Sequence, residues 1–178
     1  GDLDVFYKSL EEKVDFVLTQ LEERLSYQAK VKANQVWYLT HYVSKLGKDL
    51  EREDELGDFV KHFTLGVGFI GLAETLIALT GKHHGESEES AKLGLEIITK
   101  IKDQVEKQAE KTKLNFSVFS SPGEGLAARF TKIDIKEFGL IAGVTDKEYY
   151  TNSHQIPMAY KMSMSHKIKT ESPYHELT

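Results

Sequence analysis

Hydrophobic residues recur every three or four positions over three stretches of the chain, which is the spacing of one buried face of an α-helix. This pattern predicts helices over residues 3–25, 70–80 and 87–111. The third stretch has the clearest period, with lysine and glutamate on the opposite face. Gly94 interrupts its apolar face, and a glycine there predicts that another element crosses this helix closely.

Two other stretches favour β-strands. Residues 64–68 are short, apolar and broken by glycines, and residues 115–120 alternate polar and apolar side chains in a β-favouring composition. The second stretch leads through a tight loop at 121–125 into a helical stretch at 126–130. Strands separated by helices pair in parallel, so the predicted fold class is α/β.

The remaining stretches lack a clear period. Residues 26–48 are basic and aromatic and predict connecting structure, with a short strand or helix around Trp37. Residues 140–178 are rich in Tyr, Thr, Ser, His and Met and predict loops with short strands.

Composition narrows the possible functions. The chain has 178 residues with 40% hydrophobic and 29% charged positions, enough for one ordinary globular core. Its formal net charge of -5 gives no chain-wide basic field for nucleic acid or an anionic membrane. The absence of cysteine excludes disulfides, zinc-thiolate sites and thiol nucleophiles of its own. No apolar stretch approaches the roughly 20 residues of a membrane span, so we expect a soluble, cytoplasmic protein.

Residues 66–71 match the pattern G-x-G-x-x-G at a predicted strand-to-helix turn, where backbone amides could receive a phosphate. A dinucleotide fold also needs an acidic residue at the end of its second strand. The residues about 20 positions further on, Glu86 and Glu88, fall at a helix start instead. We therefore favour glycines that allow a strand and a helix to pack closely over a nicotinamide or flavin site.

His83, His84 and Glu86 could suggest a metal site, but adjacent histidines point in different directions and no third ligand follows at helical spacing. A solvated turn at the entry of the third helix is the favoured interpretation. Three carboxylates lie in later, loop-like stretches: Asp134, Asp146 and Glu148. Nothing in the sequence indicates that any two of them converge, so we assign them no catalytic role.

The loop at residues 120–125 has two hydroxyl groups and several backbone amides ahead of a helix N-terminus, and Arg129 follows one turn later. These groups suit a phosphate. An ordinary strand-to-helix connection, with serine or glutamate as the cap, fits the same residues. The residues alone leave both interpretations open.

Four separated blocks together resemble the anaerobic, class III ribonucleoside-triphosphate reductases, in the order and with the spacing of that family. They lie at residues 66–97, 114–134, 143–153 and 172–178. The resemblance implies a ten-stranded α/β barrel and a glycyl-radical enzyme that reduces ribonucleoside triphosphates to 2'-deoxyribonucleotides through a cysteine thiyl radical. It further implies a zinc site, a homodimer and a radical-SAM activating enzyme as partner of the complete enzyme.

The resemblance implies that residues 1–178 are one region, a partial catalytic barrel cut from a longer chain. The cysteine, the glycyl radical and the zinc site would lie outside it, so we expect no catalytic residue, metal or bound cofactor here and no activity of the chain alone. A stand-alone nucleotide-binding or interaction module is the alternative from another functional class. A dinucleotide-dependent oxidoreductase is a third hypothesis.

The family's substrate loop, a Thr-Pro-Ala-Glu-type turn, falls on residues 121–124, where Ser121 and Gly123 replace the threonine and the alanine. Residues 150–153 match a second stretch of the family, which the resemblance places near the barrel mouth. This chain continues it with His154-Gln155 rather than Phe-His, so no histidine role is carried over. The substrate-binding residues implied are Ser120, Ser121, Gly123, Glu124, Gly125, Tyr150, Thr151, Asn152 and Ser153.

Overall fold

The computed structural model describes residues 2–178, so Gly1 lies outside the description. Five α-helices and two β-strands are formed by these residues. Three short helical turns connect the first helix to the first strand, at Ala33–Gln35, Leu39–Val43 and Gly57–His62. The main elements in chain order are α1 (Leu3–Ala29), β1 (Leu65–Phe69), α2 (Leu72–Thr80), α3 (Glu88–Thr112), β2 (Phe116–Ser120), α4 (Glu124–Phe138) and α5 (Met164–His175).

The two strands pair in parallel, from Leu65 opposite Phe116 to Phe69 opposite Ser120. Alternate side chains of each strand are buried, which is the period-two pattern expected of a sheet covered on one face. The connection between the strands runs through α2 and α3, as parallel pairing requires. The predicted α/β class is therefore confirmed.

The long third helix forms as its pattern predicts. Ser87 caps α3 by accepting a hydrogen bond from the backbone amide of Ser90 at 3.1 Å. A Cβ atom at Gly94 would collide with the hydroxyl of Tyr174 and lie 3.2 Å from Cδ1 of Leu76. Both α2 and α5 therefore approach α3 at this glycine, and the predicted close crossing is confirmed.

The prediction of loops and short strands over residues 140–178 is wrong, because α5 forms within this stretch. The only β-pairing of this part of the described chain is a single antiparallel bridge between Ile70 and Asn152. The helix is hard to recognise because it buries only one residue, Tyr174, and contains Pro173 in its last turn. A narrow buried face leaves no helical period, and proline normally marks a helix boundary.

Around Trp37 the chain forms short helical turns rather than a strand, one of the two predicted possibilities. No helix among residues 2–178 is both long and apolar enough to cross a membrane.

Candidate functional site

The candidate site lies where β1 and β2 end and their helices begin. Residues 150–154 cross this end of the sheet. The backbone amide of Gly71 donates to the carbonyl oxygen of Thr151 at 2.8 Å, and Ser120 Oγ lies 2.9 Å from His154 Nδ1. The structure therefore brings together the two sets of predicted substrate-binding residues, although they are distant in sequence.

The glycines of the 66–71 motif serve close packing. A Cβ atom at Gly66 would lie 2.7 Å from Cε1 of Phe119, and one at Gly68 would lie 2.8 Å from Cβ of Ser121. Gly71 has a φ of +82°, a left-handed backbone angle that favours glycine. The packing interpretation of this motif is confirmed.

The N-terminus of α2 is covered by protein. Its first turn, Leu72 to Glu74, is buried, and the Glu74 side chain is only 3% exposed. Glu74 Oε1 accepts from the backbone amide of Thr151 at 3.1 Å, the Thr151 hydroxyl at 2.7 Å and Lys147 Nζ at 2.7 Å. A carboxylate in a first helical turn also suits the positive end of the helix dipole. The chain's own carboxylate therefore occupies the positive end of this helix, which disfavours a second anion there.

The N-terminus of α4 is open by contrast. No side chain caps it at Gly123, and the first residues of the helix, Glu124 and Gly125, are exposed. A Cβ atom at Gly125 would meet no atom within 4 Å. The first amides of an α-helix have no partner within the helix and, with the helix dipole, attract anions. This loop can therefore receive a phosphate through its backbone.

Several of the predicted hydroxyl groups bind protein partners. Tyr150 donates its hydroxyl to Asp134 Oδ2 at 2.6 Å. Burial, followed by this hydrogen bond, raises the pKa of Tyr150 above its usual value, so the phenol stays protonated. Thr151 is committed to Glu74, as described above. These hydrogen bonds hold the side chains of Tyr150 and Thr151, and with them the backbone of the segment, in place.

The other members of the second set differ in their surroundings. Asn152 Oδ1 is buried and has no hydrogen-bond partner within the protein. Ser153 is buried and has a φ of +42°, an unusual backbone angle for a residue with a side chain. Such a buried amide oxygen is a candidate acceptor for a ligand or a water molecule.

The solvated turn predicted around His83 and His84 is wrong, because both side chains are buried. Residues 154–160 and α5 cover the turn: the His83 ring contacts Tyr160, and the His84 ring contacts Tyr174. His84 Nε2–H donates to the carbonyl oxygen of His154 at 2.7 Å. Burial lowers the pKa of His84 to about 4, so the ring is neutral at pH 7.

No group of three or more His, Cys, Asp or Glu side chains within residues 2–178 is arranged to hold a metal ion. Sequence reasoning missed Glu74, Asp134 and His154 as residues that shape the site. Only Glu74 carries a local signal, since it is the one charged residue in the apolar stretch Leu72–Thr80.

The sequence model of one family, the anaerobic ribonucleoside-triphosphate reductases, matches residues 1–178. An anaerobic ribonucleoside-triphosphate reductase of Salmonella typhimurium is 33% identical over 99% of this chain, and the match covers 25% of that protein. The enzyme of the same name from phage T4 is 31% identical over 96% of the chain, which corresponds to 27% of its own length. The chain thus spans about a quarter of the length of these relatives.

Two solved structures have a region with the same fold as the described residues. The anaerobic ribonucleotide reductase from Thermotoga maritima superposes with a TM-score of 0.67 and 18% sequence identity, over 99% of this chain and 27% of that one. Another anaerobic ribonucleotide reductase superposes with a TM-score of 0.71 and 18% identity, over 99% of this chain and 26% of that one. The described fold is therefore that of a corresponding part of these proteins.

Proposed function

The chain belongs to the anaerobic ribonucleoside-triphosphate reductase family, and we propose that it forms part of the catalytic barrel of such an enzyme. In this role it supplies scaffold and binds the phosphates of a ribonucleoside triphosphate that is reduced to the 2'-deoxyribonucleotide. Family membership supports the substrate class, and the open N-terminus of α4 supports the phosphate contact. That open helix end is the observation on which the assignment depends.

Backbone amides are the principal phosphate ligands in this proposal. Gly123, Glu124 and Gly125 lie at the start of α4, where amides point out of the helix and Gly125 leaves space for close approach. Ser121 contributes a hydroxyl group from the same loop. The exposed carboxylate of Glu124 repels phosphate, so Glu124 acts through its amide and its side chain is available to a hydroxyl group of the ribose.

Residues 150–153 form the neighbouring wall of the substrate site in this proposal. Tyr150 and Thr151 are fixed by Asp134 and Glu74, which holds the backbone of the segment in place. The buried, unpartnered Oδ1 of Asn152 accepts a hydrogen bond from the nucleotide. Ser153 shapes the turn that aims the segment at the strand ends.

The radical chemistry belongs to other parts of the complete enzyme. Reduction of the ribose requires a cysteine thiyl radical and a glycyl radical, and this chain has no cysteine. The described residues also do not fit a zinc site. We therefore assign the radical, the zinc site, the homodimer contact and the activating enzyme to the complete cytoplasmic protein.

The test compares two substitutions at Gly123 in calorimetric titrations with each of the four ribonucleoside triphosphates. Gly123→Ala and Gly123→Pro both place a Cβ atom about 2.6 Å from the flexible Cδ1 of Ile70, but only proline removes the amide proton. A hydrogen bond to a charged group is worth about 1.5–3 kcal/mol, so we expect Gly123→Pro to weaken binding at least about tenfold relative to Gly123→Ala. Equal affinities of the two variants would contradict the phosphate assignment.

A further inference from the structure

Two buried aromatic rings, those of His154 and Tyr174, lie next to the candidate site. His154 is 2% exposed, and its ring stacks on Tyr174 with ring centroids 5.2 Å apart and an interplanar angle of 8°. The ring of His175 stands edge-on to it at 4.7 Å. These contacts fix the orientation of the His154 ring, so that its Nδ1 faces Ser120 at 2.9 Å.

The number of protons on each group determines the direction of the hydrogen bonds. Thr178 Oγ1 donates to the carbonyl oxygen of Tyr174 at 3.1 Å, since a carbonyl can only accept. Ser120 Oγ lies 3.0 Å from Thr178 Oγ1, whose only proton is already used, so Ser120 donates to Thr178. Ser120 then has no proton left for His154 and accepts from it. His154 therefore carries a proton on Nδ1, and burial lowers the pKa of the ring, which favours the neutral form with this single proton.

The backbone of His154 is held from the opposite side. Its carbonyl oxygen accepts the Nε2–H of His84, a residue of the buried turn before α3. The ring and the backbone of one residue thus connect three separate parts of the chain: the end of β2, the α2–α3 turn and α5.

We propose that His154 is a positioning residue for the candidate substrate site. Its Nδ1–H donates to Ser120 at the end of β2, the Ser120 hydroxyl donates to Thr178, and the Thr178 hydroxyl donates to the Tyr174 carbonyl of α5, a chain of hydrogen bonds that we call the relay. The relay holds the loop at residues 121–125 in register with residues 150–153. The direction of the relay rests on hydrogen-bond geometry alone, whereas its consequence for phosphate binding rests on the function proposed above.

The relay also determines which groups a phosphate can use. The only hydroxyl proton of Ser120 is directed toward Thr178, so Ser120 supports the loop and does not donate to the ligand. The loop amides and Ser121 remain as donors. His154 occupies the position at which the family's pattern has phenylalanine, so the relay is a feature of this chain rather than one expected from the resemblance.

The first test determines the tautomer of His154 at pH 7 by long-range proton–nitrogen correlation NMR on the ¹⁵N-labelled chain. We expect the Nδ1–H form. In Thr178→Val the Ser120 proton loses its acceptor and turns to Nδ1, so His154 should change to the Nε2–H form. An Nε2–H form in the unmodified chain, or no change in Thr178→Val, would overturn the relay.

The second test compares His154→Asn with His154→Gln in titrations with inorganic triphosphate. The asparagine amide nitrogen occupies the place of Nδ1 and can still donate to Ser120, whereas the glutamine nitrogen corresponds to Nε2. We expect His154→Asn to bind within about twofold of the unmodified chain and His154→Gln to bind about three- to tenfold more weakly. Circular dichroism establishes that both variants are folded.

Equal affinities of the two folded variants would overturn the positioning role. Failure of the unmodified chain to bind triphosphate would contradict the proposed function instead, and the tautomer measurement would still decide the relay.

Discussion

The two strand–turn–helix units of this protein, β1–α2 and β2–α4, have the same strand arrangement but differ at the N-termini of their helices. β1 and β2 pair residue for residue, bury the same alternate positions and lead into α2 and α4. The first turn of α2 is buried beneath residues 150–151, whereas the first turn of α4 is exposed and uncapped. Equivalent helix ends therefore take different roles. A carboxylate of the chain itself lies at one, and the other is exposed, as our proposal of a phosphate site requires.

The largest expected effect comes from opening the covered end. Glu74→Ala removes the acceptor of Lys147 and of two donors of Thr151. Loss of one partner of a buried charged network costs about 3–5 kcal/mol, and partial exposure of Lys147 places the effect near 3 kcal/mol. Urea denaturation should show this decrease in the free energy of unfolding.

Glu124→Ala is the matched control at the open end. Glu124 is exposed and lies in no ion pair found among residues 2–178. Its substitution should therefore change the free energy of unfolding by no more than about 0.5 kcal/mol. Similar decreases in the free energy of unfolding for Glu74→Ala and Glu124→Ala would contradict the difference between the covered and the open helix end.

Acid should loosen the segment that covers α2, with an effect of similar size. Burial lowers the pKa of His84 from its usual 6.5 to about 4, so between these values the unfolded chain binds a proton that the folded chain does not. The free energy of unfolding should fall as the pH drops from about 6.5 to about 4, by about 3 kcal/mol at most, and this contribution should not change further below that range.

The charges facing His84 have opposing effects. The hydrogen bond to the His154 carbonyl and the charge of Glu171 favour protonation of His84, while positive charge on the rings of His83 and His154 opposes it. His84→Gln keeps a donor for the His154 carbonyl and removes the titrating group. Urea denaturation of this variant should therefore show a shallower pH dependence between 4 and 6.5 than the unmodified chain. Parallel curves would assign the acid sensitivity to other groups.

A smaller effect distinguishes glycines in the two units. Gly68→Ala places a Cβ atom 2.8 Å from Cβ of Ser121, which is tied to the backbone, and should destabilise the fold by about 1–3 kcal/mol. Gly125→Ala meets open space at the start of α4 and should stabilise the helix by about 0.5–1 kcal/mol. Thermal unfolding monitored by circular dichroism measures both changes. A destabilised Gly125→Ala variant would show that the α4 entrance is more crowded than described.

Local patterns in the sequence were enough to predict the elements that bury a wide apolar face. α3 buries Leu93, Ile97, Ile98 and further residues at helical spacing, and the pattern identifies it within one residue at each end. α5 escaped prediction because a helix that buries Tyr174 alone has no such spacing. The accuracy of the pattern therefore depends on how much of an element is buried.

The site was predictable only in part, for a related reason. The loop at 121–125 has recognisable turn chemistry and precedes a helix, so its residues indicate a role. The partners that fix Tyr150, Thr151 and Ser120 are Asp134, Glu74 and His154, and each meets its partner only through tertiary contacts. No local pattern indicates that a hydroxyl group is already committed to a protein partner.

The difference between the two helix ends is tested most directly by following backbone amides in NMR spectra while inorganic triphosphate is added. We expect saturable shifts of the amides of Gly123, Glu124 and Gly125 at the start of α4. We expect no comparable shifts for Gly71, Leu72 and Ala73, which lie at the covered start of α2. Shifts at the α2 amides, or none at the α4 amides, would contradict the proposed difference between the two helix ends.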